Sequence, residues 1–235
     1  MHKVMVASLL GVVMTISGCS VFNKADYKTH KEEQETEYSS VYAEIVEFNG
    51  FKNKEYQSEL NMSVCKDVEN AIAQFDSLAL EAAESLPKGV KSALKITQDV
   101  KRIKSGIVSF ISEHYIYIGG AHGNTSYKPV TVDISSEAPH NLKLSELFST
   151  DDYIEKLNFI IDTIVEKDPQ NYSELWAEPH ITKENEDRFY LTDDELVIYF
   201  PPYELSYYAK GFVEFKIPLS EISTILNERF RQGTE

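Results

Sequence analysis

Cysteine is scarce: the 235 residues include two, Cys19 and Cys65. With Cys19 reserved for another role (below), Cys65 stands alone, and no intramolecular disulfide is available to staple the fold. Cys65 lies beside a helical stretch and reads as a buried structural thiol. Basic residues are also few. Against 38 Asp and Glu there are 23 Lys and Arg, a formal net charge of −15. Nucleic acid and anionic lipid headgroups are poor partners for such a surface, whereas a cationic partner is steered towards it. No internal repeat is present, and beyond residue 18 no apolar run approaches the roughly 20 residues that span a bilayer.

Catalytic signatures are missing as well. His30, His114, His122, His140 and His180 show no i, i+4 pairing, and there is no His-Glu-x-x-His. No Gly-x-Ser-x-Gly elbow offers a serine nucleophile. Asp193-Asp194-Glu195 falls in a predicted hairpin turn and lacks the alternate oxygen ligands of a calcium loop. No catalytic residue, metal or cofactor is therefore expected.

What the chain does carry begins at its N-terminus. Lys3 supplies one positive charge, Val4 to Ile16 is apolar and too short for a membrane helix, and Ile16-Ser17-Gly18-Cys19 has the pattern of a lipobox. The expectation is a lipoprotein signal peptide over 1–18, removed before Cys19, whose thiol carries the lipid. Two or three acyl chains, each contributing about 0.8 kcal/mol per buried methylene, anchor firmly. Ser20 in place of Asp after the lipidated cysteine favours an outer membrane facing the periplasm where two membranes exist. Otherwise the anchor displays the protein on the outer face of the cell membrane.

Residues 19–38 follow, with Lys28 to Glu37 almost devoid of apolar side chains, and are expected to form a flexible acidic tether. Alternation predicts strands over 41–48, 91–102, 106–118 and 127–134. Helical spacing predicts a helix from about Tyr56 to Ser85, with Val68, Ala71, Ile72, Phe75, Leu78, Ala79 and Ala82 on its apolar face. A second helix is expected after Ser149, as N-cap, with Asp152 completing a capping box. A hairpin is expected around Asp193-Asp194, then a strand over 211–217. A last helix is expected from Pro218, bearing Leu219, Ile222, Ile225, Leu226 and Phe230. Strands and helices mix without strict alternation, which argues an α+β fold with a mainly antiparallel sheet covered by helices.

Two segments stand out as candidate sites. Gly119, Gly120 and Gly123 punctuate a strand end, where glycine permits positive φ or close backbone approach. His122 among them is either a turn residue capping neighbouring backbone or a general base acting with a carboxylate. The second segment runs from Tyr199 to Tyr208. Pro201 and Pro202 break the strand, and Tyr203 and Tyr207 beyond them offer stiff, amphipathic contact area.

Three stretches together resemble a known family: Tyr117-Ile118-Gly119-Gly120-Ala121-His122-Gly123, Leu142 to Phe148, and Phe189 to Gly211 with its Phe200-Pro201-Pro202-Tyr203-Glu204 core. Their order and spacing are similar to the tandem extracytoplasmic module of lysozyme-sensing anti-sigma factors. That module also occurs beside polysaccharide deacetylase domains and in stand-alone lipoproteins. The resemblance implies two closely packed α+β subdomains, 39–120 and 121–235. It implies binding rather than catalysis, of a basic protein such as lysozyme or of peptidoglycan, with Pro202, Tyr203, Tyr207 and His122 as contact candidates. The alternatives from other classes are an envelope glycan hydrolase using His122 and a structural envelope scaffold. The chain shows no sigma-binding segment or transmembrane helix, so a one-chain anti-sigma factor is not expected; the expectation is a lipoprotein held to the bilayer through Cys19.

Overall fold

A computed structural model describes residues 24–135 and 138–231; the expected signal peptide and Cys19 lie outside them. The fold is α+β. Six strands are hydrogen-bonded in the order β1 (Asp26–Glu35), β2 (Ser39–Asn49), β3 (Ser92–Lys104), β4 (Ile107–Tyr117), β5 (Asn124–Asp133) and β6 (His140–Asn141). A second sheet has the order β7 (Phe189–Leu191), β8 (Glu195–Phe200) and β9 (Val213–Pro218). The helices are α1 (Lys54–Ala82), α2 (Tyr153–Lys167), α3 (Pro169–Tyr172) and α4 (Glu228–Arg231).

The chain divides into two compact units. The first takes the described residues up to Asp99 and Ser112–Lys128; the second takes Val100–Ile111 and the residues from Pro129. The division falls within β3, β4 and β5.

In the first unit, β1 pairs antiparallel with β2 over all ten of its residues, from Asp26↔Asn49 to Glu35↔Ser40. The expected tether is therefore a strand over this stretch. Low apolar content rules out a buried strand, not an edge strand held by its backbone. The Lys and Glu side chains along such an edge also discourage further pairing. The next strand, β2, runs parallel to β3, an arrangement that requires a crossover. The crossover contains α1, whose Leu60, Val64, Val68, Ile72, Phe75 and Ala79 are buried. Asn53 caps the helix, accepting the amide of Tyr56. Asn61 then joins it to β2 through the amide and carbonyl of Phe48, at 2.8 and 2.9 Å. Leu78, expected on the apolar face, is exposed.

The second unit has its own core, built from Leu157 and Ile161 of α2, Leu196, Ile198 and Phe200 of β8, and Phe215 and Ile217 of β9. Tyr172 stacks on Phe215 at 5.2 Å, and Phe200 meets the same ring edge-on at 5.9 Å. The hairpin at Asp193-Asp194 forms as expected, with Leu191 opposite Leu196. Two expectations fail here. Ser149 does not cap α2: its amide and hydroxyl both donate to the carbonyl of Ile225, at 2.8 and 3.0 Å. Residues 219–225 form successive turns rather than a helix, and among the described residues of that region the helical turn is α4. The apolar residues expected on the helix still pack inward, with Leu219, Ile222 and Leu226 buried.

Candidate functional site

The aromatic segment separates into a buried start and an exposed end. Tyr199 and Phe200 are buried in β8. Pro201 and Pro202 then stop the strand, and the amide of Glu204 closes a turn onto the carbonyl of Pro201 at 3.2 Å. Proline at the second position and positive φ at the third are the pattern of a type II turn, which favours glycine at the third. That position holds Tyr203, with φ of 70°. Its ring is 57% exposed and lies 5.5 Å from that of Tyr208.

A second stretch, residues 171–177, is bonded to this loop at several points. Arg188 grips Glu204 with both carboxylate oxygens 2.5 and 2.6 Å from one guanidinium nitrogen. Trp176 donates its ring N–H to the carbonyl of Glu204 at 3.0 Å and its amide to that of Leu205 at 2.9 Å. Ser206 donates to the carbonyl of Glu174, and the Tyr207 hydroxyl donates to the Glu174 carboxylate at 2.6 Å. Lys210 bonds the carbonyl of Asn171 and lies 3.5 Å from Glu174. The Tyr207 bond, aided by Lys210, lowers the pKa of Glu174, and the same bond to Glu174 raises that of Tyr207. The buried side chain of Leu205 anchors the loop below. This scaffold presents Tyr203, Tyr207 at 42% exposure and Trp176 at 58% exposure. Pro202, half-buried, contributes the turn. Trp176 is not among the residues that the sequence pattern singles out; a lone tryptophan in a polar stretch is the available signal.

Gly119 and Gly120 have φ of 110° and 92°. Gly123 serves close approach: a Cβ there would sit 2.5 Å from the Tyr115 ring and 2.6 Å from the Ile116 carbonyl. The exposed His122 donates its Nδ1–H to the carbonyl of Gly123 at 2.8 Å. That is the bond of a turn residue capping its neighbour. His122 belongs to the first unit and Tyr203 and Tyr207 to the second.

One histidine environment was not anticipated. His114 is buried in β4, its Nε2 2.9 Å from the hydroxyl of Ser112 and 4.0 Å from Asp67, which Lys128 holds at 3.1 Å. A serine, a histidine and an aspartate thus meet, but serine and aspartate share one ring nitrogen. A hydrolytic triad needs them on opposite nitrogens. Burial, then Lys128, lowers the His114 pKa. Cys65 is half-buried, and burial followed by Glu69, Glu32 and Glu47 raises its pKa, the reverse of an activated thiolate. Among the described residues, no three His, Cys, Asp or Glu side chains converge into a metal-ligand set, and no helix is long and apolar enough to cross a membrane.

Comparison with known proteins matches both parts of the chain. Residues 32–125 match the family model described as deacetylase PdaC, and residues 145–220 match DUF3298, a family described as of unknown function. The chain is 26% identical over 189 residues to the peptidoglycan-N-acetylmuramic acid deacetylase PdaC of Bacillus subtilis, covering 79% of this chain and 39% of that protein. It is 27% identical over 209 residues to the anti-sigma-V factor RsiV of the same organism, covering 84% of this chain and 69% of that one. Two solved DUF3298 structures share the fold. One, from Bacteroides fragilis, has a TM-score of 0.70 at 17% identity and covers 90% of this chain and 97% of that one. The other, from Pseudomonas aeruginosa, has a TM-score of 0.57 at 15% identity and covers 88% and 95%.

Proposed function

We propose that this chain, which joins a PdaC-type segment to a DUF3298 segment, is an extracytoplasmic binding module. It is held to a membrane by lipid on Cys19, and its contact surface is formed by Trp176, Tyr203 and Tyr207. The observation that carries this reading is Tyr203. A bulky residue in the left-handed region costs roughly 1–2 kcal/mol, and glycine would fill the same turn without that cost. Strain retained on an exposed aromatic points to use of the ring. Trp176 and Tyr207, fixed to the same scaffold by their own hydrogen bonds, add rigid area that loses little entropy on binding.

The partner this surface suits best is a basic protein of the lysozyme type. The formal charge of −15 steers a cation towards the chain, and the anti-sigma-V factor is among its homologues. A second reading, a peptidoglycan strand stacking on the same rings, is favoured by the other homologue, whose substrate is peptidoglycan. Titrating the full chain in detergent with lysozyme and with soluble peptidoglycan fragments separates them. Binding that Tyr203→Ala and Trp176→Ala weaken by about tenfold or more each, the cost of losing a central aromatic anchor, supports the surface. Binding of neither ligand removes both partner assignments, and binding that ignores both substitutions removes the site.

A further inference from the structure

The second unit holds a cavity of about 440 Å³ lined by Arg102, Ser105, Ile107, Ser135, Arg229 and Phe230. It shares no residue with the aromatic surface. Its chemistry is cationic in a chain whose charge is strongly negative.

Arg102 is the unusual member. Its residue is 7% exposed, and one guanidinium nitrogen donates to the carbonyls of Thr192 and Asp193 at 2.8 and 2.7 Å. Its Nε–H is buried and, among the described residues, has no hydrogen-bond partner. Asp193 and Asp194 attract it only from a distance; among the described residues no carboxylate pairs with it directly. A buried charge without a counter-charge is destabilising, and an orphaned donor adds to that cost. The second guanidinium is positioned rather than free. Arg229 pairs with the fully buried Asp133 and donates to the Ser135 hydroxyl at 3.1 Å. Asp133 in turn accepts from the amide and hydroxyl of Ser135, at 2.9 and 2.8 Å. Close approach of backbone holds the wall together: the Ile134 amide donates to Gly106 at 2.8 Å, and a Cβ on Gly106 would collide with Ser135.

We propose that this cavity is a binding site for a small anionic ligand, carrying a carboxylate or a phosphate. Arg102 supplies the uncompensated charge, Arg229 and the hydroxyl of Ser105 supply further donors, and Ile107 and Phe230 offer an apolar wall. Guanidinium forks suit both oxyanion types.

The test is a titration of the full chain in detergent, labelled with 15N-arginine, following the Arg102 Nε–H resonance by NMR at constant chloride. Acetate and inorganic phosphate serve as probes. The expected result is a saturable shift of that resonance by one or both. A response to acetate alone assigns a carboxylate ligand, and a response that includes phosphate assigns a broader oxyanion site. Arg102→Lys, which keeps the charge and loses the fork, is expected to weaken the effect about tenfold. Should that variant fail to fold, Ser105→Ala at the exposed turn is expected to weaken it between about two- and tenfold, the worth of one hydrogen bond. A resonance unmoved by either probe at about 50 mM, well above a millimolar dissociation constant, overturns the proposal. So does a shift that neither Arg102→Lys nor Ser105→Ala alters.

Discussion

At the scale of single residues, environment decides roles that residue type leaves open. Tyr203 was legible as a contact candidate from the two prolines before it, but the positive φ that makes it unusual is a property of the closed turn. Strain at this position is measurable by comparing two truncations. Both Tyr203→Ala and Tyr203→Gly lose the ring, and only glycine relieves φ, offset in part by its greater unfolded-chain entropy. The glycine variant is expected to be more stable than the alanine variant by about 1 kcal/mol in urea unfolding. The histidines divide in the same manner. Burial lowers the His114 pKa, so below its ordinary value of 6.5 the unfolded chain takes up a proton that the folded protein resists. Its stability contribution is complete above that pH and falls as pH drops. His140 has the opposite sign. Its hydrogen bond to Glu146 raises its pKa, so its contribution is present below the unfolded value and is lost as pH rises through the raised one. Unfolding free energies at about pH 7.5 and 5.5, on either side of the free imidazole pKa, are expected to fall less on acidification in His114→Gln than in the parent. In His140→Gln they are expected to fall more. The sequence pattern separated neither histidine from the other, because a strand's alternation does not say which neighbours cover it.

Among the elements, periodicity located α1, the hairpin at Asp193-Asp194 and β9, since each buries one face at its own repeat. It failed where backbone partners outweigh side-chain spacing. Apolar residues three and four apart after Pro218 suit a helix, yet that stretch is captured by bonds from far earlier in the chain. Ser149 donates to Ile225, the amide of Asn227 donates to Leu147, and the Asn227 side chain donates to Glu146 and Phe148. Leu226 also bridges Phe148. A local pattern cannot report a partner some eighty residues away. The same reasoning covers β1, whose charged side chains hide a complete backbone ladder. Hydrogen exchange is expected to find β1 amides opening at lower free energy than those of β2, because an edge with few buried contacts frays first. Helix α1 offers a sharper check. Its buried positions advance mostly by four residues, so the apolar stripe drifts and leaves Leu78 at 40% exposure beside fully buried Phe75. Phe75→Ala is expected to cost about 3–5 kcal/mol, and Leu78→Ala no more than about 1 kcal/mol. Similar losses at the two positions would contradict the packing of the helix.

Across the whole molecule, charge and contact surface do different work, and salt separates them. The net charge of −15 acts at a distance and raises encounter with a basic partner. It is screened beyond about 10 Å at 0.1 M salt and about 3 Å at 1 M. The aromatic surface acts on contact and is indifferent to that screening. Lysozyme binding by the full chain is therefore expected to weaken with added salt chiefly through a slower association rate, with dissociation little changed. Tyr203→Ala and Trp176→Ala are expected to do the reverse, speeding dissociation by about tenfold or more while leaving the salt dependence of association as it was. The local field gives the assignment a further edge, because the rings sit beside carboxylates of unlike availability. Glu204 is already held by both contacts from Arg188, whereas Glu174 is exposed beside Tyr207 and Lys210. Glu174 is thus the carboxylate best placed to meet a cation arriving at the surface. Glu174→Gln is expected to lower the association rate and flatten its salt dependence with less effect on dissociation than the ring substitutions. Stopped-flow kinetics across a salt series measures all three variants together. Salt sensitivity that resides in dissociation rather than association would place ion pairs, not rings, at the centre of the contact.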